Sequence, residues 1–234
     1  MSKVKVKKQS TFIDMTAMSD VTVLLLTFFM LTSTFIAKEP IQVTTPYSVS
    51  ERKIPDTNIM TILVDQQGKI FLSLEYTKDQ VVATLRAVGD DYGYTFTPKQ
   101  EESFRRLKSF GVPIASMKDF LDLPVDKQDA FMRDISNPRV GIPTDSVEIR
   151  DALGGVVSKD NEFIRWVSHA TRIRDEVRKE ARMRGDEEPA ELQIAIKADQ
   201  QTNYPVVKKV MDDLRGMRKN RYLLITNLKT ASAE

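Results

Sequence analysis

Asp20 is the residue of this chain that is best suited to chemistry, because it lies in a stretch long and apolar enough to cross a bilayer. Residues 21–37 carry no charge, and residues 16–37 contain neither lysine nor arginine. An ionisable side chain inside a spanning helix costs roughly 2.5–3.5 kcal/mol even on lenient insertion scales. We therefore expect this carboxylate to have a function. Without a cation beside it in the span, it is suited to gain and lose a proton.

Three threonines share the predicted helix face of Asp20. At about 100° per residue, Thr16, Thr27 and Thr34 all fall within about 40° of the direction of the carboxylate. The stripe has two interpretations. It is a polar track that faces a partner or a water-filled path, or its hydroxyls bond to carbonyl groups of their own helix and only pack. The second interpretation is favoured for the threonines alone, but it does not account for Asp20.

The apolar stretch is predicted to be a retained membrane anchor. Its 22 residues, 16–37, would reach about 33 Å as a helix, and a hydrocarbon core is about 30 Å thick. A cleaved signal peptide would have a shorter apolar region and a cleavage site with small residues. Lys38-Glu39-Pro40 follows, and proline ends the helix.

The charges that flank the span predict its orientation. Four lysines precede it, and only Lys38 follows it directly. Because basic residues favour the cytoplasmic side, the N-terminus is predicted to be cytoplasmic and residues 38–234 to lie outside. Asp14, just before the span, is interpreted as a helix cap near the membrane interface.

Composition excludes several classes of site. The net charge of +2 gives no global field for nucleic acid, so no nucleic-acid partner is predicted. The chain has no cysteine and a single histidine, His169, which excludes thiolate and multi-histidine metal centres within one chain. We interpret His169 as a satisfied core or surface residue. No phosphate-binding loop or nucleophile elbow is present. We therefore predict no enzyme activity, no cofactor and no metal site.

The membrane motif resembles a known family. Residues 12–30, FIDMTAMSDVTVLLLTFFM, are similar to the motif with which the ExbD/TolR family of biopolymer-transport proteins enters the membrane. The resemblance places Asp20 at the family's proton-carrying position. Ala17 stands where the family usually has proline, and Asp14 stands where it often has asparagine. These departures leave the carboxylate of Asp20 in place.

The resemblance implies a function and a set of partners. Two copies of the chain, a homodimer, would insert their helices into an ExbB-like or TolQ-like ring in the inner membrane. Proton flow through Asp20 would drive motion, which the periplasmic domain would pass to a TonB-like protein for transport across the outer membrane. A TolR-like role in the Tol–Pal envelope-integrity system is the alternative within the family.

Two further classes of protein are alternatives for this chain. A flagellar-type stator subunit also uses an intramembrane aspartate, but its OmpA-like peptidoglycan-binding motif is not found in this sequence. A membrane-anchored periplasmic binding or structural protein would leave Asp20 without a role. The cost of an unpaired carboxylate in the bilayer disfavours that last interpretation.

The predicted fold class is α+β, with a single N-terminal transmembrane helix and a small periplasmic α/β sandwich domain that carries a helical insertion. The predicted divisions are a cytoplasmic N-terminus at 1–13, the transmembrane helix at 14–37, a periplasmic linker at 38–57 and the domain at 58–230, with the insertion at 77–158. Residues 41–48 resemble the extended segment that follows the family's membrane helix.

Local patterns predict the elements of the domain. Apolar runs at 58–64 and 69–74 flank a turn that contains glycine, which indicates a hairpin. A strand at 192–199, a helix at 204–216 and a strand at 221–226 follow the family's strand–helix–strand ending. Insertion helices are predicted at 77–88, 97–108, 116–123 and 125–133. A long helix at 161–182 has an apolar stripe of Phe163, Val167, Ala170 and Ile173.

Overall fold

The structure is a computed structural model that describes residues 15–33, 43–48, 58–134, 136–145, 147–150 and 156–228. It divides the chain into two compact units, residues 1–38 and residues 39–234. The first unit contains helix α1, Met15–Thr32. The second unit, called the C-terminal domain below, contains the sheet and the remaining helices. The elements of the C-terminal domain are β1 Tyr47–Ser48, β2 Ile59–Val64, β3 Ile70–Glu75, α2 Lys78–Asp91, α3 Pro98–Arg106, β4 Ser109–Phe110, α4 Ile114–Leu121, α5 Val125–Arg133, β5 Val147–Arg150, β6 Val156–Asp160, α6 Glu162–Arg184, β7 Gln193–Ala198, α7 Tyr204–Gly216, β8 Tyr222–Leu224 and β9 Asn227–Leu228.

Helix α1 agrees with the predicted span over most of its length. It ends at Thr32, and the backbone N–H of Ser33 still donates to the carbonyl oxygen of Phe29 at 2.9 Å. Asp14 and residues 34–37, which the prediction includes in the helix, lie outside the described residues. The flanking lysines 3–8 and Lys38 also lie outside them, so the orientation stays a prediction.

The five-stranded sheet has the order β4-β3-β2-β7-β8. Strand β2 is central and every one of its residues is buried, as expected for a strand covered on both faces. It pairs antiparallel with β3 and parallel with β7, and β8 continues in parallel beyond β7. Parallel neighbours need a crossover connection, and α7 provides it between β7 and β8. The predicted strand–helix–strand ending is therefore confirmed.

The predicted hairpin between β2 and β3 is also confirmed. Its turn is fixed by Asp65, whose Oδ1 accepts the backbone N–H groups of Gln67 at 2.9 Å and Lys69 at 2.7 Å. Gly68 takes φ +81° in this turn, a conformation that glycine adopts without steric cost. Outside this sheet, the predicted extended segment after the membrane helix contains β1, which pairs in parallel with β9.

The long helix α6 begins and ends at recognisable caps. The side chain of Asn161 accepts the backbone N–H of Ile164 at 2.7 Å, and Gly185 follows the last turn at φ +77°. The predicted apolar stripe faces the core, since Phe163, Val167 and Ala170 are fully buried. Helix α6 thus runs from Glu162 to Arg184, slightly beyond its predicted end.

Buried Arg174 connects α6 to the start of the central strand. Its guanidinium donates to Asn58 Oδ1, to Gln80 Oε1 at 3.2 Å and to the carbonyl oxygen of Ala190 at 3.3 Å. These neutral oxygens accept from the two Nη atoms of a group that is only 3% exposed, whereas its buried Nε has no hydrogen-bond partner among the described residues. Asn58, immediately before β2, has φ +59°, so the contact also fixes an unusual backbone conformation.

The predicted insertion contains its predicted helices and, in addition, strands that no local pattern revealed. Thr97 caps α3 through a capping box with Gln100. Strand β4 pairs with β3 and so forms an edge of the main sheet. Gly111 follows β4, and a Cβ there would lie 1.9 Å from a ring carbon of Phe71, so only glycine fits this close approach.

Part of the predicted insertion shares the core of the C-terminal domain. The rings of Phe104 and Phe110, from α3 and β4, lie 6.1 and 4.7 Å from the Trp166 ring, centroid to centroid. All three side chains are at most 3% exposed. The backbone N–H of Ile142 donates to the carbonyl oxygen of Ile70 at 2.8 Å, which joins the far end of this region to β3. Residues 97–142 therefore belong to the same folded core as β3 and α6.

Buried Glu162 is expected to make the stability of this core depend on pH. Its Oε1 accepts the backbone N–H of Ile114 at 2.9 Å and Trp166 Nε1–H at 3.1 Å. Burial raises the pKa of Glu162, and these two hydrogen bonds only partly oppose the rise. When folding raises the pKa of a carboxyl, the protonated group stabilises the fold at pH values below its pKa in the unfolded chain, near 4.5. This contribution to stability is lost as the pH rises through the pKa in the folded protein.

We expect Glu162→Gln to gain stability relative to the natural protein as pH rises from about 4.5 to 7, because the amide oxygen keeps both hydrogen bonds and carries no charge. Urea unfolding followed by the fluorescence of the single tryptophan measures the difference at each pH. Asp65 and Asp213 also have raised pKa values, but both proteins contain them, so their contributions cancel in the stability difference. A stability difference that does not change with pH would contradict this interpretation of Glu162.

Candidate functional site

Asp20 occupies the second turn of α1 and is the single charged residue between Met15 and Ser33. The helix is continuous through Asp20, so the helical spacing assumed from the sequence applies on both sides of it. Every described residue of this unit is exposed.

The exposed surface of α1 is strongly apolar. Its large side chains are mostly more than half exposed, among them Leu24, Phe28 and Leu31 at 61, 62 and 87%. Soluble monomers rarely expose a contiguous apolar surface of this kind, whereas lipid and partner helices cover it. The helix is about 27 Å long at 1.5 Å per residue, close to the thickness of a hydrocarbon core. In the described part of the chain, α1 is the one helix whose length and composition suit a membrane span.

The structure places two of the three threonines of the predicted track in α1 with Asp20. Thr27 is seven residues after Asp20, which puts it about 20° away around the helix and roughly 10 Å along it. Its hydroxyl donates to the carbonyl oxygen of Leu24 at 2.9 Å. Thr16 lies one turn before Asp20 on the same face. Thr34 lies outside the described residues.

Hydroxyls elsewhere on α1 behave in the same way. Ser19, Thr22 and Thr32 each donate to the carbonyl oxygen four residues earlier, at 2.7 Å. This back-bonding satisfies a hydroxyl donor within its own helix and leaves oxygen lone pairs able to accept. The Thr27 hydroxyl therefore already donates a hydrogen bond within its own helix. On the Asp20 face of the helix it can act only as a hydrogen-bond acceptor.

His169 is held in an ionic cluster on the C-terminal domain. Its Nε2 lies 2.7 Å from Asp91 Oδ2, and its Nδ1 lies 3.2 Å from Arg172 Nη2. Burial raises the pKa of Asp91, but hydrogen bonds from His169 and Arg165 outweigh burial and hold it below its usual range. The geometry agrees with the interpretation of His169 as a satisfied residue. Its partner Asp91 could not be found from sequence, because it ends a different helix.

Together, the fold and this site define a class of protein. A single apolar helix near the N-terminus carries one carboxylate, and a separate α/β domain follows it. This arrangement suggests a single-pass membrane protein.

Residues 7–96 match the family model described as biopolymer transport protein ExbD/TolR. This part of the chain is therefore similar to the ExbD/TolR family, in agreement with the resemblance of the membrane motif. The match contains Asp20, the whole of α1, the β2–β3 hairpin and α2, and it ends just before α3. The search of curated proteins and the search of solved structures gave no match.

The match supports a role in energising biopolymer transport, and the matched family works with membrane-complex partners of the ExbB/TolQ type. The matched region extends past residue 77, where the insertion was predicted to begin. Helix α2 thus lies within the matched region, and residues 97–158 lie beyond it. The family is one of transport accessory proteins rather than enzymes.

Proposed function

We propose that this chain is a proton-motive-force transducing subunit of the inner membrane that works with an ExbB-like ring to energise TonB-dependent transport across the outer membrane. The observation that carries the proposal is the position of Asp20. It is the single charge of an exposed, apolar helix that lies within the family-matched residues. A carboxylate in that setting is costly unless partner helices enclose it.

The proposed mechanism uses Asp20 as the group that binds and releases a proton. A single helix cannot form a path for ions by itself, so a ring of partner helices would enclose the Asp20 face of two copies of this chain. Moving one charge through 100 mV releases about 2.3 kcal/mol, so repeated single-proton steps can supply mechanical work. Alternate protonation of the two Asp20 carboxylates would drive rotation of the helices relative to the ring.

The C-terminal domain is the proposed output of this work. With the lysine-rich N-terminus in the cytoplasm, residues 38–234 would lie in the periplasm, where a TonB-like protein would receive the motion. The domain is covalently continuous with α1 and has a well-packed core that joins its sheet to α2, α6 and α7. A rigid body of this kind can transmit displacement without absorbing it.

A TolR-like role in the Tol–Pal system is the second candidate, because the matched family contains both branches. Asp20 and its surroundings would do the same work in either case. The neighbouring membrane subunits distinguish the two candidates better than any residue of this chain.

Co-purification of the affinity-tagged full chain from native membranes tests the proposal. We expect a polytopic ring subunit to be retained, and its identity as ExbB-like or TolQ-like assigns the branch. The variant Phe28→Lys provides a control. It places a charge at an apolar position of α1, so we expect insertion and assembly to be disturbed. Recovery of the natural chain without any polytopic partner would contradict the proposed assembly and favour a solitary membrane-anchored protein.

A further inference from the structure

A groove of about 310 Å³ opens on the C-terminal domain between α6 and the turn that follows α7. Buried Val167 and Thr171 lie at its base, and Met217 lines the opposite side. Most of its remaining lining is charged: Arg172, Asp175, Glu176, Lys179 and Lys219, with Ser168 beside them. The groove therefore combines an apolar base with a charged rim.

Both elements that border the groove are basic. Helix α6 contains seven arginine and lysine residues against four aspartate and glutamate residues. Residues 215–221, RGMRKNR, which form the end of α7 and the turn after it, contain four cationic residues and no carboxylate. The whole chain has a net charge of only +2, so these two segments carry an excess of positive charge, although Arg165, Arg178, Arg182 and Arg215 are ion-paired to carboxylates outside them. A concave basic surface raises the local concentration of anionic ligands.

Some charges of the rim are already neutralised, and others are available. Arg172 donates to Glu176 Oε1 at 2.8 Å and also contacts His169 Nδ1, so this pair is fixed and has little charge left to offer. Among the described residues, the side chains of Lys179, Lys219 and Asp175 form no hydrogen bond or ion pair. The two ammonium groups outnumber the one carboxylate, so the available charge of the rim is positive.

We propose that the groove binds an acidic, partly apolar peptide segment of a partner protein. Carboxylates of the segment pair with Lys179 and Lys219, and one aliphatic side chain packs against Met217 above Val167. The concave shape favours an extended segment, because a flat membrane surface would reach the rim but not the base. The site does not involve α1 or Asp20, so it stands independently of the proposed proton-driven function.

Fluorescence anisotropy with a labelled peptide tests the proposal. The probe is a short fluorescein-labelled peptide in which glutamates alternate with leucines, and the full chain is held in nanodiscs of neutral lipid. We expect saturable binding that weakens about fivefold in the double variant Lys179→Gln/Lys219→Gln, the effect of losing two exposed ion pairs. Added salt should weaken the binding as well, because exposed charges are screened.

The double variant Lys99→Gln/Lys127→Gln is the matched control, since it removes two exposed lysines from α3 and α5, away from the groove. Its affinity should equal that of the natural chain, and a peptide with glutamine in place of glutamate should bind the natural chain about fivefold more weakly. Absence of binding, or equal loss in both double variants, would overturn the proposal. Phosphatidylglycerol vesicles that displace the peptide and bind the full chain more tightly would also overturn it, in favour of a membrane surface.

Discussion

Replacing Asp20 with asparagine is expected to abolish energised uptake while the chain still inserts and assembles. Asparagine has nearly the same shape as aspartate but cannot carry a proton, so it removes the chemistry and keeps the packing. In the described part of α1 no other ionisable group is present to take over. Uptake of a siderophore-bound iron or of a vitamin, measured in cells that carry the variant, should fall to the level of cells that lack the chain.

The controls for Asp20 separate protonation from polarity. Asp20→Glu keeps an ionisable carboxyl and should retain part of the activity. Thr27→Val should be much milder, because the Thr27 hydroxyl already donates to the Leu24 carbonyl oxygen within its own helix. Membrane levels and ring co-purification of each variant confirm assembly. Normal uptake with Asp20→Asn would exclude the proposed role of this carboxylate, whereas a wild-type result with Thr27→Val would exclude only the polar track.

Phe104→Ala is expected to destabilise the C-terminal domain by about 3–5 kcal/mol, the usual cost of removing a fully buried phenylalanine. The Phe104 ring is 1% exposed and stacks on Trp166 at an interplanar angle of 24°. It belongs to α3, beyond the family-matched residues, whereas Trp166 belongs to the long core helix. Urea unfolding of the full chain, followed by the fluorescence of the single tryptophan, should show a much lower midpoint.

Tyr204→Ala provides the matched aromatic truncation, because the side chain of Tyr204 is 68% exposed at the start of α7. It should change the unfolding midpoint little. If Phe104→Ala instead left the tryptophan transition unchanged, the region from α3 to α5 would be an appended module whose packing does not support the sheet. The core that joins Phe104, Phe110 and Trp166 would then contribute little to the stability of the domain.

Sequence reasoning succeeded where a local pattern determines the structure. A glycine turn between two apolar runs was enough to predict the hairpin of β2 and β3. The repeat of Phe163, Val167 and Ala170 was enough to place α6. The membrane motif pointed to the family whose model matches residues 7–96, because an isolated carboxylate in an apolar helix is a rare signal.

What the sequence could not show depends on contacts between distant residues. Strand β4 has two residues, too few for any periodicity, and its pairing with β3 fixes it in the sheet. Arg174 and Asn58 are separated by 116 positions, and no local pattern connects them. Lys179 and Lys219 line one groove for the same reason, since α6 and the turn after α7 meet only in the folded domain.

The central position of β2 determines how the C-terminal domain responds to force. After the short β1–β9 pair, the first strand of the five-stranded sheet along the chain from α1 is β2, which has β3 on one side and β7 on the other. Six residue pairs register β2 with each neighbour, so a load along its axis is shared by two ladders in shear and does not peel one of them open pair by pair. We therefore expect the domain to resist tension applied to its central strand more strongly than tension applied to an edge strand.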